Sequence, residues 1–220
     1  MTPEPLRLVI FDCDGVLVDS EGPSNRVVAE MVTALGWPMS QDEATALFVG
    51  YRLSDIPPVV EARLGRPVPS GWVEELRQGM VAAFHDIQTM PGAADTLRAV
   101  TALGLPFRVA SNSSHEEMKV KFARTGLDAL IQGRQHSARD VPHGKPAPDV
   151  FLAAARAENV PPAACLVVED SIPGVTAARA AGMVVLGLDP AGDAAALRAL
   201  GAHPIRSLAE VPGLARQAMR

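Results

Sequence analysis

The stretch LVIFDCDGV, residues 8–16, joins a short apolar run to two aspartates that are separated by one residue. A short apolar run bounded by polar residues is typical of a strand that is covered on both faces of a parallel sheet. Because side chains alternate along a strand, Asp12 and Asp14 are expected to point the same way from its carboxyl end. Two carboxylates this close need a cation between them or a shared proton, so the pair indicates a metal site with acid–base capacity.

After about residue 90, short apolar runs alternate with longer alanine-rich stretches at helical spacing. This alternation predicts a doubly wound, Rossmann-like α/β core with a parallel sheet. The predicted strands are Leu6–Phe11, Phe107–Ala110, Leu130–Gln132, Cys165–Val168 and Val184–Leu188. The predicted helices that follow or separate them are Ala93–Leu103, Ser114–Thr125, Asp149–Glu158 and Pro173–Ala181.

Residues 17–88 differ from the rest of the chain, because they contain several helical patterns and no convincing strand. Apolar residues between Trp72 and Ile87, for example, recur at spacings of three and four, as they do on the buried face of a helix. We therefore predict an inserted α-helical domain over residues 17–88, and a core domain formed by residues 1–16 and 89–220.

Composition bounds the possible partners. The 220 residues carry a formal net charge of −5, which provides no basic surface for nucleic acid or anionic lipid and favours a small-molecule substrate.

The two cysteines, Cys13 and Cys165, lie in or beside apolar runs and do not form a disulfide framework. No signal-peptide pattern and no apolar run of about 18 residues is visible. We expect a soluble cytoplasmic protein, and we favour a monomer.

Polar residues also accompany later elements of the predicted sheet. Ser111 and Asn112 end one strand and open a helix, where a hydroxyl and free N–H groups can bind an anion. Lys145 lies in a proline-rich loop and can face phosphate charge. Glu169 and Asp170 end a further strand, at the edge where open α/β sheets bind ligands. Carboxylates from two strand ends suit Mg²⁺, and no His/Cys spacing indicates zinc.

With these motifs in this order, the sequence resembles the haloacid dehalogenase-like superfamily over a core from about Leu8 to Asp189. The helical insertion after the first motif resembles, in its placement, the cap domain of the β-phosphoglucomutase-like branch. The four motifs of the superfamily are matched here by Asp12-Cys13-Asp14-Gly15-Val16, Ser111-Asn112, Lys145-Pro146 and Glu169-Asp170.

The resemblance implies a Mg²⁺-dependent phosphatase that acts on a small phosphomonoester. Asp12 would attack phosphorus and form an aspartyl-phosphate, which splits one displacement into two. Asp14 would protonate the leaving alcohol and then take a proton from the water that hydrolyses the intermediate. Closure of the cap would exclude bulk water.

The resemblance also assigns the metal and phosphate ligands. Mg²⁺ would be held by the Asp12 carboxylate, the Asp14 backbone carbonyl and Asp170, with Glu169 assisting through Lys145 or a water. The groups expected to bind the transferring phosphoryl oxygens are Ser111, the Asn112 backbone and Lys145.

The alternatives to a phosphatase are a dehalogenase, a sugar phosphomutase and a non-catalytic protein. The dehalogenase reaction needs neither Mg²⁺ nor a second aspartate, so Asp14 and the Glu169-Asp170 pair argue against it. A sugar phosphomutase differs only in what accepts the phosphoryl group, but Ser24 stands where a histidine is expected in the mutase cap. A non-catalytic phosphate-binding protein on the same fold is the third alternative, since fold alone does not establish activity.

A cap loop offers candidate specificity residues. Arg52 and Tyr51 lie in the loop FVGYRL, and an arginine suits a carboxylate or a second phosphate. We therefore expect a sugar phosphate or a sugar-acid phosphate as the substrate.

Overall fold

The computed structural model of the protein describes residues 4–48, 51, 53–192 and 194–219. These residues form two compact units, of which the first contains the chain up to Val18 and from Thr89 onward, and the second contains Asp19–Gln88. In chain order the strands are β1 (Leu8–Phe11), β2 (Val18–Asp19), β3 (Gln88–Thr89), β4 (Phe107–Ser111), β5 (Gln135–Ser137), β6 (Cys165–Glu169), β7 (Val184–Leu188) and β8 (His203–Ile205).

The α-helices are shared between the two units. In chain order they are α1 (Glu21–Ala34), α2 (Gln41–Phe48), α3 (Ile56–Leu64), α4 (Trp72–Ala83), α5 (Ala93–Ala102), α6 (His115–Thr125), α7 (Asp128–Ile131), α8 (Asp149–Ala157), α9 (Ile172–Ala180), α10 (Ala195–Ala199) and α11 (Val211–Ala218). None of the helices in the described ranges is both long enough and apolar enough to span a bilayer.

The first unit is built on a six-stranded parallel sheet with the strand order β5-β4-β1-β6-β7-β8. Leu8 and Ile10 pack in one hydrophobic cluster with residues of α8 and α9, so the alternation of β1 turns Val9 and Phe11 to the opposite face. All four side chains are fully buried, as expected of a central strand covered on both faces. The predicted α/β, doubly wound fold class is confirmed.

One predicted strand is wrong. Leu130–Gln132 overlaps helix α7, whose Ile131 is fully buried, and the strand β5 follows at Gln135–Ser137. A short apolar run cannot be assigned to helix or strand by periodicity alone, and here it forms one buried turn of helix. At the other edge of the sheet, β8 has no counterpart among the predicted strands.

The second unit is helical, with a core formed between α1, α2, α3 and α4. Val32, Ala44, Val60 and Leu76 are fully buried there, one from each helix. The two short strands β2 and β3 pair where the chain passes between the units.

Candidate active site

The register of the sheet brings three strand ends together. Phe11, the last residue of β1, lies opposite Val109 of β4 and Val168 of β6. Asp12 therefore leaves β1 between the ends of β4 and β6, and its backbone N–H still donates to the Val168 carbonyl at 2.9 Å. The last residues of those two neighbours are Ser111 and Glu169. Carboxyl ends of parallel strands meet at one edge, so residues more than 150 positions apart in sequence are gathered at the same edge.

Lys145 joins two of these strand ends. Its Nζ donates to Asp12 Oδ1 at 2.6 Å and to Glu169 Oε1 at 2.7 Å, and its side chain is only 4% exposed. The ammonium also lies 4.7 Å from the centre of the Phe151 ring on α8. Although burial lowers the pKa of a lysine, the charges of Asp12 and Glu169 raise that of Lys145 above its ordinary value. The lysine is therefore a fixed positive charge beside Asp12.

The Asn112 side chain fixes the backbone that carries this lysine. Asn112 Oδ1 accepts from the Lys145 backbone N–H at 2.9 Å, and Asn112 Nδ2 donates to the Lys145 carbonyl at 3.3 Å. A Cβ at Gly144 would come within 2.8 Å of the same Oδ1, so the close approach depends on the glycine. Asn112 thus links the end of β4 to the lysine loop.

Glu169 is fully buried, and both oxygens of its carboxylate accept hydrogen bonds. Oε1 accepts from Lys145, while Oε2 accepts from the backbone N–H groups of Asp170 and Ser171 and from the Ser171 hydroxyl, each at 2.9 Å. A Cβ at Gly174 would overlap this carboxylate. Because both oxygens already accept hydrogen bonds, Glu169 is placed to hold Lys145 and the following loop.

An acidic cluster lies next to this pair. Carboxylate oxygens of Asp12, Glu169 and Asp170 all lie within 4.8 Å of one another. Burial raises the pKa of Asp12 above its usual range, with further contributions from the charges of Glu169 and Asp14 and against the opposing charge of Lys145. A second cation would offset this unfavourable charge. The oxygen-only donor set fits a hard divalent ion such as Mg²⁺.

Comparison with known proteins identifies the family. The model of the family "haloacid dehalogenase-like hydrolase" matches residues 6–182. The chain belongs to the haloacid dehalogenase-like hydrolases. It is 30% identical over 182 residues to the 6-phosphogluconate phosphatase of Escherichia coli (strain K12), with 82% of this chain and 81% of that protein covered. It is also 35% identical over 190 residues to the "Probable pseudouridine-5'-phosphatase" of Drosophila melanogaster, with coverage of 82% and 81%.

Solved structures of haloacid dehalogenase-like hydrolases have the same fold. A hydrolase of this family from Deinococcus radiodurans R1, crystallised with bound phosphate and sodium, superimposes with a TM-score of 0.84 at 33% identity. The match covers 97% of this chain and 96% of that one.

In this haloacid dehalogenase-like hydrolase, the predicted site residues of the first unit lie along one edge of the sheet. Ser111 is buried at the end of β4, and its Oγ accepts from the Ser113 backbone N–H at 3.0 Å. Asp14 lies two residues beyond Asp12, in an isolated β-bridge with Val18, and its side chain is 31% exposed. Gly15 has a φ of +74°, and a Cβ there would overlap the Asp170 carboxylate, so this glycine permits the first and last motifs to approach.

The predicted specificity residues belong to the second unit. Tyr51 is 46% exposed, and its ring packs edge-on against Phe48 with 5.8 Å between ring centres. Arg52 lies outside the described residues. The roles of both in substrate selection remain predictions.

Two polar side chains at the site were not predicted from the sequence. Lys121 Nζ donates to Asp14 Oδ1 at 2.5 Å, and Ser113 Oγ donates to Asp14 Oδ2 at 2.9 Å. The sequence offers one signal for Lys121, which is its position on α6. Met118, Lys121 and Phe122 are spaced by three and four residues, so they share one face of the helix, and that face is buried. A lysine on a core-facing stripe requires a buried partner.

Proposed function

We propose that this chain is a phosphatase that hydrolyses a small phosphomonoester through an aspartyl-phosphate formed on Asp12. The observation that carries the proposal is the Asp12 carboxylate at the end of the central strand, with the buried Lys145 ammonium 2.6 Å from one of its oxygens. Lys145 is held in turn by Glu169 and by the Asn112 side chain. Two curated relatives named as phosphatases support the same reaction class.

In the first half of the proposed reaction, an Asp12 oxygen forms a bond to phosphorus while the bond to the substrate alcohol breaks. Lys145 provides a desolvated positive charge beside the developing charge on the phosphoryl oxygens. The remaining donors to those oxygens are the Ser111 hydroxyl and the Asn112 backbone N–H, at the start of the loop that leads into α6. Because these groups are positioned before substrate arrives, little reorganisation is required during the transfer.

Asp14 serves as the acid and base in this proposal. It gives a proton to the leaving alcohol, and it later takes a proton from the water that attacks the aspartyl-phosphate and releases phosphate. Its carboxylate is partly exposed, whereas that of Asp12 is nearly buried. The two environments suit a group that exchanges protons and a group that bonds to phosphorus.

Mg²⁺ fits the acidic cluster. We assign it to the Asp12 carboxylate, the Asp14 backbone carbonyl and Asp170, with Glu169 acting through Lys145. Both Glu169 oxygens already accept hydrogen bonds, from Lys145 and from Ser171, which agrees with an indirect role of Glu169. When bound, Mg²⁺ supplies positive charge that offsets the negative charge of the transferring group.

The substrate class that we propose is a sugar phosphate or a sugar-acid phosphate. The support is the name of the E. coli relative, together with Tyr51 and Arg52 as candidate polar contacts in the second unit. Because the two relatives are named for different substrates, the substrate of this chain has to be sought in a broad screen.

The test is a phosphate-release screen with Mg²⁺ over sugar phosphates, sugar-acid phosphates, nucleotides, phosphoglycolate and hexose 1-phosphates. We expect release that is abolished by EDTA and by Asp12→Asn, while Asp128→Asn, at an exposed position on α7, retains it. Isomerisation of a hexose 1-phosphate without net release would indicate a mutase instead. Release that persists in Asp12→Asn would contradict the proposal.

A further inference from the structure

Lys121 is a buried lysine without a place in the proposed chemistry. It lies on α6 and is 3% exposed, between the fully buried Met118 and Phe122. A lysine is almost never fully buried unless it is paired, because desolvation of the ammonium is unfavourable. Burial is the largest single effect and lowers its pKa, but the charge of Asp14, the hydrogen bond to Asp14 and other nearby negative charges together raise the pKa of Lys121.

Lys121, Ser113 and Asp14 are joined in one polar network. Lys121 Nζ donates to Asp14 Oδ1 at 2.5 Å and to Ser113 Oγ at 2.9 Å. Ser113 Oγ in turn donates to Asp14 Oδ2 at 2.9 Å. Each carboxylate oxygen of Asp14 therefore accepts a hydrogen bond from a different side chain. These two side chains, Lys121 and Ser113, are also hydrogen-bonded to each other.

The network is fixed to parts of the fold other than the loop that carries Asp14. The Ser113 backbone N–H donates to Ser111 Oγ at 3.0 Å, and the Ser113 carbonyl accepts from Ser137 Oγ at 2.7 Å. Ser111 and Ser137 are the last residues of β4 and β5. Lys121 is held by the packing of α6. The orientation of the Asp14 carboxylate is thus set by two strand ends and one helix.

We propose that Lys121, together with Ser113, is a positioning residue that holds the Asp14 carboxylate in place as the base for hydrolysis of the aspartyl-phosphate. The inference rests on the proposed function. In that step an oxygen of water bonds to phosphorus, its proton passes to Asp14, and the bond between phosphorus and Asp12 breaks. A carboxylate whose two oxygens are held by donors is restricted in its rotation, and misplacement by about 1 Å can cost roughly a hundredfold in rate.

Steady-state and burst kinetics of Lys121→Met with p-nitrophenyl phosphate test this role. The p-nitrophenolate leaving group needs no proton, so kcat/KM reports phosphoryl transfer to Asp12, while kcat includes hydrolysis of the intermediate. We expect kcat to fall about ten- to hundredfold, KM to fall with it, and a burst of one p-nitrophenolate per active site to appear. The matched control, Lys119→Met, changes an exposed lysine on the same helix and should behave as the wild type.

A double mutant shows whether Lys121 acts through Asp14. Asp14→Ala alone should give the same burst, and adding Lys121→Met should change kcat less than about twofold further, because the two changes disrupt one interaction. Ser113→Ala should reproduce the burst by freeing the other oxygen, and it decides the question if circular dichroism shows that Lys121→Met does not fold.

Three results would overturn the inference. An unchanged kcat, or equal losses in kcat and kcat/KM without a burst, would assign Lys121 a structural or phosphate-binding role. Independent losses in the double mutant would separate it from Asp14. Turnover that survives in Asp12→Asn, or a wild type that releases phosphate neither from p-nitrophenyl phosphate nor from any substrate of the screen, would instead contradict the proposed function itself.

Discussion

Removal of the Lys145 ammonium should destabilise the sheet-containing unit strongly in the absence of metal. The substitution Lys145→Met keeps a long apolar stem and leaves the carboxylates of Asp12 and Glu169, 10% and 0% exposed, without their shared cation. Breaking a buried ion pair by removing one partner costs about 3–5 kcal/mol. For a chain of this size, roughly 2–4 °C per kcal/mol gives a drop of about 6–20 °C in Tm.

The assay is thermal unfolding followed by circular dichroism, in EDTA and again with Mg²⁺. Lys119→Met is the exposed control and should shift the free energy of unfolding by no more than about 0.5 kcal/mol. Adding Asp12→Asn to Lys145→Met should restore part of the lost stability, because one of the two buried charges is removed. If Lys145→Met melts together with the Lys119→Met control in EDTA, the reasoning about the buried cation is refuted.

Three further tests concern the Lys145 loop and the metal site. Asn112→Leu removes both hydrogen bonds to the Lys145 backbone and should lower kcat about tenfold through displacement of the ammonium; a kcat equal to that of the wild type would contradict this role. Gly15→Ala places a methyl group against the Asp170 carboxylate and should weaken Mg²⁺ binding measured by calorimetry. Gly126→Ala has a similar φ of +70° and open space, so it should lower Tm but keep Mg²⁺ affinity; equal affinities in the two variants would argue against the clash. Removal of Mg²⁺ by EDTA should abolish phosphate release and lower Tm, and readdition should restore both.

Most of the central sheet was predictable from local pattern. The predicted strands at Leu6–Phe11, Phe107–Ala110, Cys165–Val168 and Val184–Leu188 lie within two residues of β1, β4, β6 and β7. These four strands are apolar because both faces of the sheet are covered. The edge strands carry less of this signal. β5 has the sequence Gln-His-Ser, of which only Ser137 is buried, so a prediction from apolar runs favours the preceding segment Leu130–Gln132.

The polar contacts of the site were harder to predict, because they depend on residues distant in sequence. The motifs identified which residues meet at the sheet edge, but not that the Asn112 side chain holds the backbone of Lys145, 33 positions away. Lys121 is separated from Asp14 by 107 positions and belongs to no motif. Its only local signal is a charged residue on the buried face of α6. Such a signal predicts that the lysine has a buried partner, but it does not identify which residue that partner is.

The central claim is that Asp12 carries the phosphoryl group between the two halves of the reaction. Acid quenching during turnover, followed by borohydride reduction and mass spectrometry of the tryptic peptide that spans residues 8–26, tests it directly. Reduction converts an aspartyl-phosphate to homoserine, so we expect homoserine at position 12, dependent on substrate and absent in Asp12→Asn. Turnover at full rate with position 12 recovered only as aspartate, or homoserine found at position 14 or 19 instead, would contradict the account.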